Sequence, residues 1–147
     1  MYSKILVATD GTALANKAIK EAAQLANALG AKLLVLHVRS PVNIPHHVTG
    51  GALSQSGGKQ VVEEIAAEER KLLDDAKEIA ESAGIIPEIA FISSFEPYEA
   101  IIRASQERQC DLIVMGTRIR QGIPQYFVKS ETQKVLAHTG TTVLVVR

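Results

Sequence analysis

Three short stretches carry residue types that could meet a nucleotide-like ligand. Asp10-Gly11-Thr12 closes the apolar run Ile5-Leu6-Val7-Ala8-Thr9. Gly116-Thr117-Arg118 closes the run Leu112-Ile113-Val114-Met115, and Lys129-Ser130 precedes a helical stretch beginning near Ser130. Glycine at a strand end lets the backbone turn and lets a ligand come close. A helix start behind such a loop offers unpaired N–H groups and positive dipole, the arrangement that receives phosphate in many nucleotide sites. Arg118, Arg120 and Lys129 place three cations beside it. They read either as solvated loop charges or as anion contacts. Ser130-x-x-Gln133 is a capping-box spacing, so Ser130 reads as a cap, a phosphate contact, or both. Gly116 is either a simple strand-end turn or a ligand approach. Asp10 either caps the following helix or meets a ligand.

Other reactive side chains promise less. His46-His47 lack a carboxylate or cysteine at ligand spacing, so no metal is expected. His37 reads as a core or strand-end residue, and His138 suits the negative end of the last helix. Cys110 has no neighbouring histidine to activate it and is expected to be inert packing. Asp111 falls at the far end of its strand from Gly116, which marks it as structural. Tyr126 and Phe127 are expected to anchor their loop into the core.

The elements that must position these residues follow from hydrophobic period. Strand runs are expected at Ile5–Thr9, Lys32–Val38, Pro87–Ser93, Asp111–Gly116 and Thr142–Val146. Their near-continuous apolar character is the habit of strands buried on both faces of a parallel sheet. Between them, Leu14, Ala18, Ala22, Leu25 and Leu29 form a helical stripe closed by Gly30. A second stripe runs from Lys59 to Ala83, a third helix starts at Pro97 and reaches about Arg108, and the last spans Ser130 to His138. Residues 40–58, with two prolines and two Gly-Gly pairs, predict a mobile flap. Five strands alternating with four helices predict a doubly wound parallel sheet of three α/β/α layers, Rossmann-like. A closed barrel needs about 250 residues and is excluded by the 147 present. If the first strand is central, it and the fourth flank the point where winding reverses, and a ligand belongs beyond their carboxyl ends.

Composition narrows the function classes. Sixteen basic and sixteen acidic residues cancel, so there is no field to attract nucleic acid or an anionic membrane. One cysteine rules out an internal disulfide and suits a reducing cytosol. No apolar run approaches the ~20 residues of a bilayer span, and the chain enters its first strand directly. A single-domain, soluble cytoplasmic protein spanning 1–147 is the expectation, long enough to bury roughly two-thirds of its unfolded surface.

ILVATDGT (Ile5–Thr12), LLVLHV (Leu33–Val38), DLIVMGTR (Asp111–Arg118) and VLAHTGTTVLVVR (Val135–Arg147) together resemble the universal stress protein family over the whole chain. The resemblance implies the same five-stranded sheet, of the adenine nucleotide alpha hydrolase-like kind. It also implies a homodimer through the terminal strand 142–146 and, in the nucleotide-binding branch, the phosphate pattern G-x2-G-x9-G-[ST]. On this chain the pattern begins at Gly116 and closes at Ser130, while its second and third glycines fall on Ile119 and Lys129. The family's proline near the first-strand aspartate is Ala8 here, whereas Asp10 and Val38 match. The implied adenine-nucleotide site (ATP or AMP) therefore takes in Ala8, Thr9, Asp10, Val38, Met115, Gly116, Thr117, Arg118, Lys129, Ser130, Glu131 and Thr132. A β-branched Ile119 resists positive φ and crowds bare backbone, so the phosphate end is degraded and should bind more weakly and with more salt dependence.

Three functions follow, in order of preference. The first is a stress-response protein that binds a small anionic ligand at this site and signals through changed contacts. The second is a nucleotide-free homodimeric interaction module, since an apolar edge strand invites pairing. The third is a slow ATP hydrolase, for which Asp10 alone is thin equipment. No enzyme activity and no metal are expected.

Overall fold

A computed structural model describes residues 1–41, 52–117 and 130–147, and the side chains of residues 52–62 lie outside it. The chain runs β1 (Lys4–Thr9), α1 (Ala13–Leu29), β2 (Lys32–Arg39), α2 (Ala52–Ser82), β3 (Glu88–Ser93), α3 (Pro97–Glu107), β4 (Leu112–Gly116), α4 (Glu131–His138) and β5 (Thr142–Val146). All neighbouring strands are parallel, in the order β3-β2-β1-β4-β5, so β1 is central, the condition on which the crevice is placed between β1 and β4.

Alternation along each strand divides the core. Ile5, Val7, Leu33, Val35, Leu112 and Val114 face α1 and α2, while Leu6, Leu34, Leu36, Ile113 and Met115 face α3 and α4. The stripe expected on α1 is rotated. Its buried residues are Ala15, Ala18, Ile19, Ala22, Ala23 and Ala26, with Leu29 exposed. An alanine-dense face lets the helix lie close to the sheet and pushes the leucines to its flanks. Gly30, at φ 66, ends it.

Helix α2 begins at Ala52 rather than Lys59, so residues 52–58 of the expected flap are helical. Each of Gly57 and Gly58 costs about 1 kcal/mol against alanine in a helix, a weak local bias that a growing helix overrides. Residues 42–51, with His46 and His47, lie outside the described residues. Among the described residues, no helix is long and apolar enough to cross a membrane.

Asp111 fastens the amino end of the sheet, as its position suggested. Its Oδ2 accepts from Ser3 N–H at 2.8 Å and Ser3 Oγ–H at 2.7 Å, and its Oδ1 from Lys4 N–H at 3.1 Å. Burial alone would raise the Asp111 pKa, but these hydrogen bonds together hold it below the ordinary 3.8. A lowered folded-state pKa gives stability that is present above the ordinary value and lost as pH falls through the lowered one. Asp111→Asn should therefore cost about 1 kcal/mol near neutral pH, with the gap to wild type in urea melts closing as pH falls below the ordinary 3.8 and through the lowered value. Cys110 beside it is buried, and burial pushes its thiol pKa up, consistent with inert packing.

After α3, Gln109 adopts φ 55, the left-handed region that penalises a side chain. Gln109→Gly should stabilise the protein by about 0.5–1 kcal/mol, read as a higher urea midpoint.

Candidate functional site

The site begins with a seam that opens. β1 pairs with β2 from Lys4↔Lys32 to Thr9↔His37, and β4 with β5 from Leu112↔Thr142 to Gly116↔Val146. The β1–β4 register covers only Ile5↔Leu112 to Val7↔Val114. Beyond that point the two central strands are no longer in register as partners, and their ends carry Ala8, Thr9 and Asp10 on one side, Met115, Gly116 and Thr117 on the other. The structure thus brings together two segments a hundred residues apart in sequence, at the reversal of winding.

The β1 side is braced by its own loop. Gly11 sits at φ 78, a conformation that glycine takes at little cost, and donates its N–H to Thr9 Oγ at 3.2 Å. Asp10 Oδ1 accepts from Thr12 N–H at 3.0 Å and from Thr12 Oγ–H at 2.6 Å. Thr12, not Asp10, is the N-cap of α1, its hydroxyl accepting from Ala15 N–H at 3.2 Å. Asp10 supports that cap from two residues back and is exposed, with Oδ2 making no hydrogen bond among the described residues.

The β4 side is braced by α4. The Gly116 carbonyl accepts from Thr132 Oγ–H at 3.0 Å, and Thr117 N–H donates to the Val146 carbonyl at 2.9 Å. Gly116 has a packing reason to be glycine. A Cβ there would meet Leu14 Cγ at 2.9 Å and the Leu14 carbonyl at 3.2 Å. Ser130 completes the capping box, accepting from Gln133 N–H at 3.2 Å while Gln133 Oε1 accepts from Ser130 N–H at 3.3 Å. Glu131 turns to α3, where its carboxylate accepts from Tyr98 N–H at 2.9 Å and pairs with Lys134 at 3.1 Å. The side chains of Ser130, Glu131 and Thr132 are therefore committed to structure. What the first turn of α4 presents is backbone, the N–H groups of Glu131 and Thr132, which have no partner among the described residues. Arg118, Ile119, Arg120, Tyr126, Phe127 and Lys129 lie outside those residues.

A third wall lies on the α3/α4 face. Ala8, Val38 and Met115 belong to the apolar cluster on that face, with Ile92 and Tyr98 elsewhere in the same cluster and the Tyr98 ring turned toward Lys134 and His138 of α4. His37 is buried with Nδ1 2.9 Å from the Thr9 carbonyl. His138 lies at the end of α4, with Nδ1 2.7 Å from the Lys134 carbonyl and its ring centroid 5.2 Å from that of Tyr98. Among the described residues, no group of three or more His, Cys, Asp or Glu is placed to hold a metal ion.

The model of the universal stress protein family matches residues 1–147. The chain belongs to that family. A universal stress protein of Thermus aquaticus, encoded in the QAH/OAS sulfhydrylase 3' region, is 37% identical over 151 residues, covering 100% of both chains. Universal stress protein YxiE of Bacillus subtilis is 32% identical over 149 residues, again with 100% of both covered. Among solved structures, a universal stress protein in complex with cAMP superposes with TM-score 0.74 at 24% identity, covering 99% of this chain and 97% of that one. The Archaeoglobus fulgidus universal stress protein in complex with dAMP gives 0.69 at 22%, covering 99% and 98%. At these identities the superpositions establish the fold, the five-stranded parallel α/β sheet of the universal stress proteins.

Because Ser130 caps α4, Ser130→Ala should cost about 1 kcal/mol of stability with no ligand present. Chemical denaturation tests this; an unchanged midpoint would contradict the observed capping box.

Proposed function

We propose that this universal stress protein binds an adenine nucleotide in the crevice between β1 and β4 and signals by changing its contacts when loaded. In this reading the base lies against Ala8, Val38 and Met115, an apolar wall at the strand ends. Asp10 Oδ2 takes the ribose hydroxyls, since a carboxylate oxygen accepts and a hydroxyl donates. Phosphate lies over the first turn of α4, where the Glu131 and Thr132 N–H groups and the helix dipole favour negative charge. Arg118 and Lys129 supply flanking cations. The observation that carries the reading is the parting of β1 and β4 beyond Val7 and Val114, at the reversal of winding.

The relatives solved with cAMP and dAMP support an adenine base with a single phosphate as the recognised unit. Ile119 and Lys129, in place of two motif glycines, favour a short phosphate tail over ATP. We read the protein as a binder rather than a hydrolase, because Oδ1 of Asp10 is already engaged by Thr12. A buried free cysteine suits the reducing cytoplasm, where we place it.

Calorimetric titration with AMP, cAMP, ATP and GMP, at about 50 and about 300 mM salt, tests the site. AMP should bind, weaken at the higher salt, and weaken about tenfold or more in Asp10→Ala. Salt-insensitive tight ATP binding, or no adenine nucleotide bound at millimolar concentration, would overturn the reading.

We further propose a homodimer through β5. This strand lies at the sheet edge with Leu144 40% exposed, and Leu136 on α4 is 50% exposed. An apolar edge without lysine or proline is open to pairing. Sedimentation should give a dimer at micromolar concentration and a monomer for Leu144→Lys; a wild-type monomer contradicts the proposal.

A further inference from the structure

We infer that His37 is the positioning residue of the nucleotide site, holding the floor of the crevice from behind without touching the ligand. The inference rests on the crevice reading above and adds the residue that sets its geometry.

A carbonyl oxygen can only accept, so the 2.9 Å contact to Thr9 O requires the hydrogen on His37 Nδ1. The donor spans twenty-eight residues of sequence and sits where register ends, at Thr9↔His37, the last pair between β1 and β2. The imidazole is buried, with 9% exposure, and the Phe91 ring beside it, 6.1 Å between centroids, limits its rotation. A carbonyl has two lone pairs, so this bond need not displace a ladder bond at the same oxygen.

The consequence is geometric. The peptide unit is planar, with C=O and N–H on opposite sides. Fixing the Thr9 carbonyl therefore fixes the Asp10 N–H in the opposite direction and places the Asp10 Cα, from which its side chain leaves. Asp10 is then held at two points, through Thr9 by His37 and through Oδ1 by Thr12. The same bond ties the end of β1 to the residue before Val38. One imidazole thus sets the spacing between the aspartate and Val38, part of the wall assigned to the base.

Alternation excludes direct contact with the base. Leu33 and Val35 face α1 and α2, so His37, two residues on, shares that face, whereas Val38 packs with Ala8 and Met115 on the other. His37 acts through the backbone.

The test compares two substitutions. His37→Leu fills similar space without a donor. His37→Asn places an amide N–H one bond beyond Cγ, as Nδ1 is. AMP affinity should fall about tenfold or more in His37→Leu and return to within about threefold of wild type in His37→Asn. Thermal melts establish that both variants are folded. Wild-type affinity in His37→Leu, or equal loss in both variants, overturns the inference, the second by showing that ring volume and not the donor matters. If wild type binds no adenine nucleotide, the site reading fails separately. The positioning role is then judged by amide hydrogen exchange at Asp10, Gly11 and Thr12, which should quicken in His37→Leu and not in His37→Asn. Unchanged exchange in His37→Leu overturns it.

Discussion

The structure depends on one topological constraint. β1 and β4 are neighbours in a parallel sheet, yet the helices that follow them lie on opposite faces, α1 on one and α4 on the other. Two chains leaving in opposite directions cannot keep a shared ladder to the last residue. Pairing gives way after Val7↔Val114, and the gap is a consequence of the winding rather than of any one side chain. Leu14 of α1 presses on Gly116 from one face, and Thr132 of α4 holds its carbonyl.

The two ends of the sheet use polar side chains differently. At the amino end, Asp111 gathers Ser3 and Lys4, while Glu88 pairs with Lys4 at 3.2 Å and with Arg108 at 3.9 Å. These contacts close the end. At the carboxyl end, Thr9, Asp10, Thr12, Ser130 and Thr132 all bond to nearby backbone or to one another, and among the described residues none of these bonds crosses from β1 to β4. Among the described residues, the polar groups left at the gap are peptide groups, a helix start and one carboxylate oxygen.

Much of this was legible in sequence because period and punctuation agree. Continuous apolar runs at Leu33–Val38 and Leu112–Met115 mark strands covered on both faces, and Ser130-x-x-Gln133 marks the start of α4. The meeting of Asp10 with Gly116 followed from topology alone. Three features were not legible. The start of α2 at Ala52 was masked by Gly57 and Gly58, whose local bias is small beside helix propagation. The buried face of α1 was misplaced because alanine, not leucine, lies against the sheet. Glu131 reached across to Tyr98 of α3, a contact between helices that no local pattern encodes. Sequence also left Ser130 and Asp10 with two readings each. Coordinates settle the local role of Ser130 as a cap, and show Asp10 supporting Thr12 with one oxygen to spare.

The central claim is that a nucleotide sits where β1 and β4 part. Mapping backbone amide shifts in a labelled sample during titration with AMP tests it most directly. The account predicts shifts concentrated at Ala8–Gly11, Val38, Met115–Thr117 and Ser130–Thr132, with Ser3, Lys4, Glu88 and Asp111 at the other end of the sheet unmoved. Shifts centred on that amino end, or on the groove between α1 and α2 near Lys20 and Glu78, would contradict it.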